Sequence, residues 1–214
     1  MLTLATFALS LLQASGPGMD ADELAALMAR ANPEEIREVS LHPLFAQDAM
    51  CSEHWAGQLL FPGDALGQDC MVVGGIEERG YLSPYRTDGR ANEDWYGWQA
   101  PVLSPVSGSV TRVLENDVVN QPGVLGQPPA QALMITREDG LIVVVAHLGE
   151  ISVAVGDHVE AGQPIGTVGN NGYSRAPHIH VGAADNRGSL QIRWDLKALA
   201  GLRADNEDGV AEHD

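Results

Sequence analysis

The stretch 155–181 reads VGDHVEAGQPIGTVGNNGYSRAPHIHV, and its punctuation decides the fold. Gly156-Asp157, Gly162-Gln163 and Gly169-Asn170-Asn171-Gly172 are turn signals that cut the chain into short extended pieces. They predict strands at Ile151–Val155 and Pro164–Val168, and a further strand that carries His178-Ile179-His180. In a strand, residues two apart share a face, so both imidazoles would project into one site. Histidines also sit in cores or on surfaces without a function, and a His-x-His pair alone has little specificity. The surroundings add to it. Leu141–Gly149, LIVVVAHLG, is an apolar β-branched run long enough for a buried strand, and it carries His147 near its end. Short strands thus deliver His147, His178 and His180 to one neighbourhood, as expected of a compact, mostly β domain rather than a parallel α/β array.

These residues resemble the lysostaphin-type (LytM-like) zinc metallopeptidases, which are peptidoglycan endopeptidases. The resemblance runs over Gln99–Ala184, under half of the chain, and includes APVLSPVSGSVTRV at 100–113. It implies an antiparallel β-sandwich or half-barrel, the duplicated hybrid motif, with an open groove above the sheet. It also implies a Zn2+ cofactor with His180 as a metal ligand and His147 and His178 as catalytic histidines. Such imidazoles orient or deprotonate a water and stabilise the oxyanion beside the metal. The substrate implied is a peptide cross-link of bacterial peptidoglycan.

The family's first metal segment, His-x-x-x-Asp, is matched at Ala65-Leu66-Gly67-Gln68-Asp69. Asp69 takes the place of the carboxylate ligand, and Ala65 stands where the histidine is expected. A catalytic zinc centre needs three protein ligands and one open position. Either Asp64 or His54 supplies the missing one, or the register differs, or the fold has lost its metal. The last possibility is a rival reading: a catalytically inactive lysostaphin-like module that binds peptidoglycan or regulates a cell-wall hydrolase. SPVSGSVTRV and VGDHVEAGQPIGTV also resemble lipoyl or biotinyl carriers, but those need a lysine at a hairpin tip. The chain's only lysine is Lys197.

Between Asp69 and Pro101 lies a long link, GGIEERGYLSPYRTDGRANEDWYGWQA at 74–100, rich in Tyr and Trp. Its rings either wall a substrate groove or pin the loop to the sheet. The net charge of -17 over 214 residues argues against a nucleic-acid partner, which would need lysine and arginine clusters. A peptide or peptidoglycan partner is compatible with it, and no protein partner can be read.

Residues 1–16, MLTLATFALSLLQASG, have the apolar core and small-residue end of a secretory signal, although no Lys or Arg precedes the core. The run is too short for an ordinary membrane span, so the expected location is periplasmic or extracellular. Cys51 and Cys70 suit that compartment as a disulfide, or stand as two reduced thiols if the chain is not exported. The expected organisation is a signal at 1–16, a helical segment at 17–50, the metallopeptidase-like domain at 51–203 and an acidic disordered tail at 204–214. Within 17–50, helices are expected from Asp20 and from Asn32-Pro33, each with a glutamate three residues past its cap. His42, His158 and His213 are read as loop, hairpin and tail residues without a metal role.

Overall fold

The computed structural model describes residues 33–59 and 63–211, with single helical positions at 22, 25, 26 and 29 and no side chains beyond 204. The last four fall in the helix expected from Asp20, whereas the signal segment lies outside the described residues. The elements are β1 (Glu38–Leu41), β2 (Ala49–Glu53), β3 (Gln68–Val72), α1 (Ile76–Arg79), β4 (Pro101–Leu103), β5 (Gly108–Leu114), β6 (Ala132–Thr136), β7 (Ile142–Ala146), β8 (Leu148–Ile151), β9 (His158–Val159), β10 (Pro164–Val168), β11 (Ile179–Asp185), β12 (Gly188–Trp194) and α2 (Leu196–Ala211). The fold is mostly β, with a large sheet curled into a half-barrel, as the resemblance implied.

The large sheet runs β1-β12-β11-β7-β6-β5-β9, and a small one runs β4-β10-β8. β11 divides one of its edges between two partners. Its first half pairs with β3, at His180↔Asp69, and its second half pairs with β12, at Ala183↔Leu190. Its other edge pairs with β7, at His180↔Ala146. Asp69, His180 and Ala146 therefore stand in one row, and His147 follows at the end of β7.

Alternation along β11 sorts its two faces. Ile179, Val181 and Ala183 enter the apolar core with Val143 and Val145 of β7 and Leu133 and Ile135 of β6. The small sheet closes that core with Val102, Leu148, Ile165 and Val168. The intervening His180 and Gly182 face the other side. There a turn at 63–66 lies directly on the sheet: a Cβ on Gly182 would overlap the carbonyl of Gly63, so only glycine allows this approach. That turn leads into β3 and sets the height of Asp69 above the sheet.

β2 lies at the sheet's edge, pairs only with β3, and exposes every residue. A disulfide joins Cys51 to Cys70, which are direct partners across the β2–β3 ladder. The pair is therefore oxidised, and it welds the edge strand to the strand that carries Asp69.

Some expectations are corrected. Residues 33–37 form no helix but bend into β1, which pairs in parallel with β12. Arg37 is held there by Asp185, with Nη2 2.7 Å from Oδ1, so sheet pairing and this ion pair override the local capping pattern. The strand expected at Ile151–Val155 ends at Ile151. α2 continues to Ala211, into the stretch read as a tail; its start is secured by Asp195, whose Oδ1 accepts the N–H groups of Lys197 and Ala198.

Candidate metal centre and histidine cluster

Three groups converge above β3 and β11. His54, one residue past β2, donates its backbone N–H to the Gly67 carbonyl at 2.8 Å, extending the β2–β3 ladder. This register turns its ring towards Asp69, with Nε2 3.2 Å from Oδ2. From the other side, His180 Nδ1 lies 3.0 Å from Asp69 Oδ1. Donor atoms of His54, Asp69 and His180 all lie within 4.8 Å of one another. Two ligands held at about 2.0–2.1 Å by a tetrahedral zinc stand about 3.3 Å apart, close to the two separations seen here.

The donor chemistry also fits a cation. The Asp64 carbonyl can only accept, so His54 Nδ1 at 3.3 Å carries a proton, and Nε2 is the nitrogen left facing the Asp69 carboxylate. A ring nitrogen and a carboxylate oxygen at this distance call for a proton or a metal ion between them. His180 adds an orphan: its Nε2 is buried without a directed hydrogen bond, although Asp64 Oδ1 stands 2.9 Å away, off the N–H axis. Burial alone would raise the Asp69 pKa, but hydrogen bonds from His180 and His54 outweigh it and hold the carboxylate far below its usual range. Burial alone would likewise depress His180, yet Asp64 and Asp69 outweigh it and push its pKa up to about 10 in the protein alone. The site attracts positive charge.

His147 and His178 form the second half of the cluster. Their rings are 4.6 Å apart, and His147 is 6.4 Å from His180. His147 adopts a left-handed backbone at φ 64°, a conformation costly for a non-glycine residue and concentrated at functional sites. Each ring gives its Nδ1–H to a main-chain carbonyl, His147 to Asn171 and His178 to Ala176, both at 2.8 Å. The Nε2 atoms are left as lone-pair donors, and His178 Nε2 is 3.7 Å from Asp69 Oδ1. Burial, then the neighbouring imidazoles of His178 and His180, depresses His147 to about 3. His178 is also depressed, with burial the leading cause. Both rings are neutral near pH 7.

The Asn171 carbonyl belongs to the glycine-rich turn and that of Ala176 to the segment just after it, and a buried polar network fixes the turn. Asn170 Nδ2 donates to Asn92 Oδ1 at 2.9 Å, Asn92 Nδ2 donates to the Asn120 carbonyl at 2.9 Å, and Ser174 Oγ donates to Asn170 Oδ1 at 3.0 Å. The long link at 74–100 thus braces the histidine turn from behind. Its rings hold the link together: Trp95 donates Nε1–H to the Gly89 carbonyl at 2.9 Å, packs edge-on to Tyr85 at 5.2 Å, and Arg86 covers Tyr96.

The structure brings together every residue singled out for the site, namely Asp69, His147, His178 and His180, and it adds His54. Asp64 stands beside His180. The supporting asparagines were not singled out from the sequence, where Asn170-Asn171 read only as turn residues. His158 is exposed beside Glu160, and His42 turns Nδ1 to the Pro43 carbonyl. Neither approaches the cluster, and His213 lies outside the described residues. Among the described residues, no helix is long and apolar enough to cross a membrane.

Residues 96–191 match the model of peptidase family M23; the match includes His147, His178 and His180 but not His54, Asp64 or Asp69. The glycyl-glycine endopeptidase ALE-1 of Staphylococcus capitis is 59% identical over 49 residues, 23% of this chain and 14% of that protein. Lysostaphin of Staphylococcus simulans is 59% identical over 34 residues, 16% of this chain and 7% of that protein. The chain therefore spans only a small part of the curated relatives it matches. A solved catalytic domain, that of a point mutant of the prophage-encoded M23 protein EnpA from Enterococcus faecalis, is 21% identical and covers 69% of this chain and 91% of that one, with a TM-score of 0.44.

Proposed function

We propose, from the match of residues 96–191 to the model of peptidase family M23, that the chain is a zinc-dependent endopeptidase hydrolysing peptide cross-links of bacterial peptidoglycan outside the cytoplasm. The observation that carries this reading is the convergence of His54, Asp69 and His180 beside two neutral histidines. His54, Asp69 and His180 would hold the metal. Zinc bound there supplies Lewis-acid polarisation of a water and of the scissile carbonyl. His147 and His178, with Nδ1–H pinned to carbonyls, present Nε2 as proton acceptors. One would take the proton of the attacking water at Nε2 and pass it to the leaving amine, and the other would accept a hydrogen bond from that water at Nε2 and orient it. The neutral state enforced by burial keeps both acceptors available near pH 7.

The disulfide supports action in an oxidising compartment. The rival reading, a metal-free binding or regulatory module, rests on Ala65; the approach of His54 to Asp69 weighs against it, because it offers a third donor.

Purified peptidoglycan incubated with the zinc-loaded protein tests the proposal. New free amino groups without new reducing sugar ends, abolished by a chelator, are the expected result. No released amines, or reducing ends instead, would contradict it.

A further inference from the structure

Asp64 touches both histidine ligands on the nitrogens that face away from Asp69. Its carbonyl accepts Nδ1–H of His54 at 3.3 Å, and its carboxylate Oδ1 is 2.9 Å from Nε2 of His180. The opposite nitrogens, His54 Nε2 and His180 Nδ1, are those that face the Asp69 carboxylate. The two rings stack at 5.1 Å with 22° between their planes, so one residue spans both.

The turn leaves Asp64 little freedom. Gly67 donates its N–H to the Asp64 carbonyl at 3.0 Å. A Cβ at Gly67 would stand 2.8 Å from the Val181 carbonyl and 3.2 Å from His180 Cε1, so the turn is wedged against β11 and the His180 ring. His180 Nε2 is buried and makes no directed hydrogen bond; the Asp64 carboxylate stands beside it at 2.9 Å, off the N–H axis.

We propose that Asp64 is a positioning residue of the metal centre, not a ligand: its main chain fixes the His54 ring and its carboxylate fixes the His180 ring. The inference rests on the zinc reading above. A metal-bound imidazole is oriented, and made a better donor, by an acceptor on its second nitrogen; removing such a partner weakens metal binding about 10- to 100-fold. Here one residue serves two ligands.

The test compares the full chain with Asp64→Ala and Asp64→Asn, using zinc affinity by competition with a chromophoric chelator and the visible spectrum of the Co2+-loaded forms. Asp64→Ala should bind zinc about 10- to 100-fold more weakly. Asp64→Asn should recover part of the loss, since its amide oxygen can stand where the carboxylate oxygen stands beside His180 Nε2. The cobalt bands should keep their intensity, because the ligands are intact, and the metal-free proteins should melt alike. Should Asp64→Ala fail to fold, Asp64→Asn decides, and wild-type affinity in it overturns the proposal. Wild-type affinity in Asp64→Ala also overturns it, as does a changed cobalt intensity, which would make Asp64 a ligand. If the wild-type chain binds no zinc, the zinc reading itself falls. If it binds zinc and Asp64→Ala binds equally, only this inference falls.

Discussion

His54 Nε2 reaches to 3.2 Å from Asp69 Oδ2 although the two residues come from different strands. On the zinc reading, His54 stands in for the histidine missing at position 65: Ser52 pairs with Asp69 across the β2–β3 ladder, and His54 follows two residues on. A donor set written along one strand in the family pattern is here shared between an edge strand and its neighbour.

That sharing makes the disulfide part of the metal site. β2 buries none of its side chains, so its ladder with β3 and the Cys51–Cys70 bond hold His54 in place. Replacing both cysteines with alanine should cost about 3 kcal/mol of unfolding free energy and should also weaken zinc binding. Denaturant unfolding and chelator competition would measure the two effects. Unchanged zinc affinity in the variant would detach the disulfide from the site.

The catalytic histidines should separate chemistry from metal binding. His178→Ala and His147→Ala are expected to retain zinc while peptidoglycan hydrolysis drops about 100- to 10,000-fold. Loss of zinc in either variant would place that residue among the ligands.

Stability should fall in mild acid. The unfolded chain protonates His147 near its ordinary value of 6.5, but the folded chain holds it down to about 3. The unfolded state therefore binds more protons between these values, so the stabilisation is complete above 6.5 and is lost as pH falls towards 3. The metal-free protein should melt at a lower temperature at about pH 4.5 than at about pH 7, and His147→Asn, which cannot take up the proton, should reduce the difference. An equal drop in that variant would show that His147 does not drive it.

Asn92 should matter for stability although it lies on a long link. It is 9% exposed and joins Asn170 to the Asn120 carbonyl. Asn92→Ala removes two buried hydrogen bonds and leaves Asn170 Nδ2 and the Asn120 carbonyl only their longer contact at 3.3 Å, at a cost of about 1–3 kcal/mol. Calorimetry would check this, and an unchanged melting temperature would mean that the link does not brace the histidine turn.

Much of the fold and most of the candidate site were legible in the sequence because they are local. The β-branched run before His147, the glycine turns and the His178–His180 spacing each encode a strand or a side-chain direction within a few residues. His54 could only be weighed against Asp64, because its role comes from pairing between β2 and β3, and ladder register is a tertiary fact. The same holds for Asn92 and Asn120, which meet Asn170 across long loops. The stretch after Asn32 misled for the opposite reason. A capping pattern was present, but parallel pairing of β1 with β12 prevailed.

Zinc content of the purified protein by elemental analysis, beside a His54→Ala variant prepared identically, tests the central claim most directly. About one zinc per chain in the wild type and a marked loss in the variant is the predicted result. Wild-type protein that takes up no zinc after deliberate addition at neutral pH, or a His54→Ala variant that retains it fully, would contradict the account.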